Sequence, residues 1–259
     1  MAEQNFQSIQ VSRQNSAYCI QLNSPPLNII DLAMIQELQE ALRQAENDPN
    51  VQVIVIRGSG PRGFSAGVSV QDHTPDRVRT LIPYFDDLFL RLASTERITL
   101  AAVHGFCLGG GFELAAACDL VVAAETAQFG QPEIKLGQLA PIGLILLPHL
   151  IGYRRAAEIV LTGATFGARD AEAWGLVNRV VPEAGLSEAV NEILGQLGLQ
   201  SRAILRLTKS FLRRTSGLDF PALLKESEDF FFDSVLRAQD SKEGIYAFLE
   251  KRAPHWSHA

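Results

Sequence analysis

Cysteine is scarce. The 259-residue sequence has three, Cys19, Cys107 and Cys118, odd in number and with no C-x-x-C spacing. Neither a disulfide framework nor a cysteine-based zinc site fits that pattern, so reduced thiols in a cytoplasmic compartment are expected. A basic excess is missing as well. Twenty-three Lys and Arg stand against twenty-nine Asp and Glu, a formal net charge of −6, which argues against a nucleic-acid binder led by phosphate neutralisation. Long apolar runs are lacking too: stretches such as residues 144–147 are far too short to cross a bilayer. The first twelve residues hold no basic residue and no apolar stretch, so neither a secretory signal nor a transit peptide is expected there. What is abundant is apolar bulk. At 47% hydrophobic and 20% charged, the chain can bury a sizeable core and is no disordered polyelectrolyte.

Along the chain, residues 9–11 and 18–22 alternate in the manner of strands around the turn-like Gln14-Asn15-Ser16, which predicts a hairpin. Asp31 is placed to cap a helix whose apolar positions Met34, Ile35, Leu38 and Leu42 share one face, and Asp48-Pro49 ends it. Residues 51–56 form a short β-branched run that suits a strand buried on both faces. A helix over residues 75–93, a strand at 100–104, a helix opening at Gly109-Gly110-Gly111 and a strand at 119–124 follow. This alternation predicts α/β or α+β layering around a sheet. Beyond residue 186 the strand signal stops, and residues 203–213, 223–237 and 241–251 have helical periodicity. The expected division is a core over residues 1–195 and a helical region over 196–259. The tail is too small to be an obvious independent domain.

Three motifs invite chemistry. Gly58-Ser59-Gly60-Pro61-Arg62-Gly63 matches G-x-G-x-x-G, but Pro61-Arg62 interrupts the turn and no helical period follows, so the context of a dinucleotide site is absent. Leu108-Gly109-Gly110-Gly111-Phe112-Glu113 opens a helix with small residues. Backbone N–H groups there suit a phosphate or a developing oxyanion, although close helix–sheet packing also selects glycine. In Phe129-Gly130-Gln131-Pro132-Glu133 the glutamate faces an apolar, glycine-containing segment. Such surroundings suit general acid/base work, and a surface glutamate near a helix start is the alternative. Ser65, Asp72 and His73 lie too close together on one loop for a nucleophilic triad, and a turn entering a helix is the simpler expectation. His104, after an apolar strand, is expected to be a satisfied buried histidine, and no histidine spacing suggests a metal site.

Taken in order, these segments resemble the crotonase superfamily, the enoyl-CoA hydratase/isomerase family. The resemblance rests on Pro26-Leu27-Asn28, Phe64-Ser65-Ala66-Gly67, Ala102-Val103-His104-Gly105, Gly109-Gly110-Gly111-Phe112-Glu113, Cys118-Asp119, residues 129–133 and Phe248-Leu249-Glu250-Lys251-Arg252. It implies an α/β fold, a spiral of ββα units, with a helical C-terminal region used in trimerisation, and homotrimers or homohexamers. It also implies an oxyanion hole with Val68 and Gly110 as donors, Glu113 and Glu133 as the catalytic pair, and acyl-CoA as substrate. Ala66, Leu27, Phe248 and Lys251 match substrate- and CoA-contacting positions. No metal, resident cofactor, nucleic acid or membrane is implied. In place of the P-G-A-G-G that simple hydratases carry, this chain has Leu139-Ala140-Pro141-Ile142-Gly143-Leu144, which implies a bulkier apolar acyl pocket. Residues 66–75 resemble the cyclohexa-1,5-diene-1-carbonyl-CoA hydratase branch of anaerobic aromatic degradation. Double-bond isomerase, decarboxylase and non-catalytic CoA-ester-binding readings stay open at this point.

Overall fold

The computed structural model describes residues 6–73, 77–214, 233–234, 237–240, 243, 247 and 250–258. The chain divides into two compact units, residues 1–95 with 99–192, and residues 96–98 with 193–259.

The hairpin forms as its alternation predicts. β1 (Ile9–Gln14) and β2 (Ala17–Leu22) pair antiparallel, with Asn15 in the left-handed region at φ 53°. α1 (Leu32–Asn47) follows, and the Asp31 carboxylate accepts from Met34 N–H at 2.8 Å. Met34, Ile35, Leu38, Ala41, Leu42 and Ala45 make its buried face, as a period of about 3.6 requires. β3 (Val53–Gly58) starts two residues later than the apolar run, where its pairing with β2 begins at Ala17 opposite Val53.

From β3 onward one pattern recurs. Each unit is a long strand, a short strand and a helix. The first is β3, β4 (Gly63–Ser65) and α2 (Val78–Ser94). The second is β5 (Ile98–Val103), β6 (Phe106–Leu108) and α3 (Gly110–Ala116). The third is β7 (Leu120–Ala124), β8 (Gln128–Gly130) and, after a 3₁₀ turn at Pro132–Leu136, α4 (Pro141–Ile151). The chain continues through α5 (Tyr153–Thr162), β9 (Thr165–Gly167), α6 (Ala168–Ala173), β10 (Arg179–Val181), α7 (Leu186–Gly198) and α8 (Arg202–Arg214). The long strands, with the three-residue β10, enter a six-stranded sheet ordered β1-β2-β3-β5-β7-β10, and the other short strands a four-stranded sheet ordered β4-β6-β8-β9. In the smaller sheet β4, β6 and β8 run parallel as neighbours, and β9 is antiparallel to β8. The fold is therefore α/β, built of ββα units. Its consequence for function is geometric. Loops leaving the carboxyl ends of β4, β6 and β8 all emerge on one side, where parallel sheets offer their binding crevices.

Several sequence expectations shift. The first described helical residue after residue 73 is Val78, and Thr74 and Pro75 lie outside the described residues. α8 matches the segment expected over residues 203–213, whereas most of 223–237 and 241–251 lies outside the described residues. His104 is only half-buried, its Nε2 lying 2.8 Å from Gly60 O. The Gly58–Gly63 stretch is a strand-to-strand connection with no helix after it. Among the described residues no helix is long and apolar enough to cross a membrane, and no group of three or more His, Cys, Asp or Glu is arranged to hold a metal.

Candidate active site

The loop after β4 carries Val68, and the turn after β6 leads through Gly109 to Gly110. Val68 bridges in parallel to Ile30, so the bonds Ile30 N–H to Gly67 O (3.0 Å) and Ser69 N–H to Ile30 O (2.9 Å) flank it. In such a bridge the central residue's own N–H points the other way. The Gly67 N–H donates to Ser65 Oγ at 3.1 Å and the Gly109 N–H to Gly130 O at 2.9 Å. Among the described residues, neither the Val68 nor the Gly110 N–H has a hydrogen-bond acceptor. The two segments touch: a Cβ on Gly110 would fall 2.4 Å from Val68 Cγ2. Two backbone donors without acceptors thus lie on segments in contact, and paired backbone donors are a means of stabilising an oxyanion.

Glu113 lies one helical turn beyond Gly110 and so shares its face of α3. It is 2% exposed. The Gly143 N–H, at the start of α4, donates to its Oε1 at 2.7 Å. Burial pushes its carboxyl up most strongly, the Gly143 and Ile142 N–H groups pull it down, and the charges of Glu133 and the half-buried Asp86 push it up again. The outcome is a rise from 4.5 to about 7. Desolvation dominates, as it does for a carboxylate removed from water.

Glu133 comes in from the 3₁₀ turn after β8. Its carboxylate lies against the backbone beside the two donors, since a Cβ on Gly109 would fall 2.8 Å from its Oε1. Gly109 also has φ +52°, so both the left-handed backbone and the space demand glycine there. Twenty positions apart in sequence, the two glutamates feel each other's charge because β6 and β8 are paired neighbours.

Ala66 N–H donates to Leu27 O at 2.9 Å, which places those two residues together beside the Val68 segment. Lys251 is exposed, at φ +56°, in the second unit, and Phe248 lies outside the described residues. Two residues that the motifs did not flag also enter the site. The buried Gln131, with its amide nitrogen turned toward its acceptors, donates to the Glu133 carboxylate oxygens at 3.1 and 3.2 Å and to Gly109 O at 3.3 Å. Gly143, in the first turn of α4 where an N–H has no intrahelical partner, gives its N–H to Glu113, and its lack of a side chain leaves room for that amide, which a Cβ would approach to 2.5 Å. Gln131 stood within a quoted motif, but only its contact with Glu133 marks it. Ser65 is no nucleophile, since its hydroxyl proton is committed to Asn28 O at 2.7 Å. Asp72 pairs with Arg77 at 3.3 Å.

Comparison with known proteins matches residues 12–259 to the enoyl-CoA hydratase/isomerase family. A probable enoyl-CoA hydratase of Mycobacterium tuberculosis is 36% identical over 261 residues, covering 98% of this chain and 99% of that protein. A cyclohexa-1,5-dienecarbonyl-CoA hydratase of Thauera aromatica is 32% identical over 250 residues, covering 96% and 95%. The crystal structure of an enoyl-CoA hydratase subunit from Geobacillus kaustophilus superposes with a TM-score of 0.91 at 36% identity, over 98% of this chain and 99% of that one.

Proposed function

The chain belongs to the enoyl-CoA hydratase/isomerase family, and we propose that it is a lyase that adds water to an α,β-unsaturated or conjugated dienoyl-CoA thioester, or removes it. The observation that carries the reading is the pair of free N–H donors, Val68 and Gly110, flanked by Glu113 and Glu133. The thioester carbonyl oxygen accepts from both donors. Water attacks the β-carbon, and the electron pair moves through the α-carbon to that oxygen, where the donors stabilise the enolate. The glutamates take the proton from water and deliver one to carbon. A group near pH 7 suits this, because both of its protonation states are populated at neutrality. These groups account for every proton and charge, so no resident cofactor is invoked and coenzyme A enters as part of the substrate.

The acyl group we assign is apolar and bulky, with cyclohexa-1,5-diene-1-carbonyl-CoA as the named candidate. The Thauera relative supports this, as do the large apolar residues next in sequence to the groups that bond Glu113. Leu139 is 63% and Leu144 45% exposed, in the stretch that also supplies Ile142 and Gly143 N–H to Glu113. Ala66 and Leu27 are assigned to binding the CoA ester, and Phe248 and Lys251 to contacts with it from a neighbouring subunit. Residues 1–195 form the catalytic core, and 196–259 the region through which a cytoplasmic homotrimer or homohexamer assembles.

The test is Glu133→Gln. Hydration is expected to fall by at least about a thousandfold while CoA-ester affinity is kept; unchanged turnover would overturn the assignment. Product mass decides the acyl group. A gain of one water on the ring diene, with little on crotonyl-CoA, supports it, and the reverse preference keeps the chemistry but discards the ring. Unchanged mass with a moved double bond marks an isomerase, loss of carbon dioxide a decarboxylase, and binding without turnover a scaffold subunit.

A further inference from the structure

The two donors sit on separate segments of chain, so something must fix one against the other. Ser65, the last residue of β4, is 1% exposed. Its hydroxyl accepts from the Gly67 N–H at 3.1 Å, one residue before Val68. On its other side it abuts Gly111, one residue after Gly110: a Cβ on Gly111 would fall 2.6 Å from Ser65 Cβ and 2.8 Å from its Oγ. One small polar side chain therefore touches the neighbours of both donors.

Its remaining bond leads to an anchor. The Ser65 hydroxyl donates to Asn28 O at 2.7 Å. Asn28 is fully buried at φ +49°, and its side chain fixes it on three sides. Its Nδ2 donates to Ser59 O at 2.9 Å and to Gly63 O at 3.0 Å, while its Oδ1 accepts from Ser24 N–H at 3.1 Å and Ser59 Oγ at 3.2 Å. With every amide position in use, the Asn28 carbonyl is a fixed point. The bonds to Ile30 hold the Val68 segment along one edge only. The planar Gly67–Val68 peptide that carries the Val68 N–H is held at its carbonyl by Ile30 N–H, and Ser65 holds the Ala66–Gly67 peptide immediately before it, so the two bonds together fix the turn at Gly67.

We propose that Ser65, anchored on Asn28, is a positioning residue that, together with the Ile30 bond to Gly67 O, sets the spacing of the Val68 and Gly110 donors and so their shared aim. The inference rests on the oxyanion-hole reading above. Preorganised donors act by pointing at the place where charge develops, so a small misplacement costs the transition state more than the ground state.

The experiment compares wild type with Ser65→Ala, which removes the hydroxyl and keeps the Cβ packed on Gly111. Three quantities are read on purified, folded protein: hydration of whichever ester the wild type turns over, cyclohexa-1,5-diene-1-carbonyl-CoA or crotonyl-CoA, affinity for the saturated ester butyryl-CoA, and affinity for the enolate of acetoacetyl-CoA, followed by its near-ultraviolet absorbance. The expected result is a kcat lowered about tenfold, with enolate affinity lowered by a similar factor. KM and butyryl-CoA affinity stay within about twofold. Ser65→Cys, a near-isosteric weak donor and acceptor, falls between the two and replaces the alanine variant should that one not fold. An unchanged kcat, or equal weakening of saturated and enolate ligands, refutes the positioning role. Should wild type hydrate neither ester and show no preference for the enolate, the oxyanion-hole reading fails and this inference falls with it. Where wild type does both and the variant matches it, only the role of Ser65 is refuted.

Discussion

Glu113→Gln should stabilise this protein while disabling it. The carboxyl is 2% exposed and its pKa is raised from 4.5 to about 7, first by burial and then by Glu133 and Asp86, against the pull of two N–H donors. Below pH 4.5 the folded and unfolded chains both hold the proton, and the group leaves stability untouched. Between 4.5 and about 7 the unfolded chain releases it first, so stability falls as pH rises. Above about 7 both states are ionised and the deficit stays constant. At 1.36 kcal/mol per pH unit, that deficit is about 3 kcal/mol. Glutamine keeps the shape and an oxygen for the Gly143 N–H, but cannot ionise. For a chain of this size the gain corresponds to a melting temperature roughly 6–12 °C higher at pH 8. At pH 4.5 the two proteins should melt within roughly 2 °C of each other. Differential scanning calorimetry across that pH range is the assay. A gain of the same size at both pH values would mean that the glutamine packs better, and no gain at pH 8 would mean that the carboxylate is not held out of water; either refutes the reasoning. Under the proposed mechanism Glu113 is kept at the expense of stability, a familiar trade.

Two further substitutions test the surrounding structure. Phe129 is buried on β8, its ring 5.6 Å from Phe112 in a T-shaped contact and 5.9 Å from Phe166 in a stacked one, four residues before Glu133. Phe129→Ala should cost about 3–5 kcal/mol by denaturant midpoint, and a loss below about 1 kcal/mol would show that this aromatic cluster is not tightly packed. In the second unit the buried Asp240 carboxylate accepts from Ser201 Oγ (2.6 Å), Ser257 N–H (2.7 Å), Ser257 Oγ (2.6 Å) and His258 N–H (2.8 Å). Asp240→Ala should abolish hydrogen-exchange protection of the Ser257 and His258 amides while leaving β3 protected, and retained protection at those two amides would contradict it.

What could be read from the sequence was mostly what is local. The Asp31 cap, the apolar face of α1 and the buried run of β3 depend on neighbours a few positions away, and each appears within two residues of its expected place. α4 had no such signal. α4 is apolar nearly all round and contains Gly143 and Pro148, so it has no amphipathic period and its composition reads as helix-breaking. Only its packing fixes it as a helix, and that helix start is what delivers an N–H to Glu113.

By itself, the sequence determined which chemistry was on offer. It placed two glutamates in apolar segments and glycines where the backbone must come close, all in an order that resembles one family, because residue type and short spacing carry that information directly. Tertiary structure decided the rest. Glu113 and Glu133 feel each other's charge because β6 and β8 are parallel neighbours. Val68 and Gly110 keep free N–H groups because the bonds around them are spent on Ile30, Ser65 and Gly130. Glu113 holds its proton near neutrality because folding removes it from water. Each of these depends on groups from distant stretches of chain meeting in a space that excludes solvent, and spacing along a sequence does not encode that.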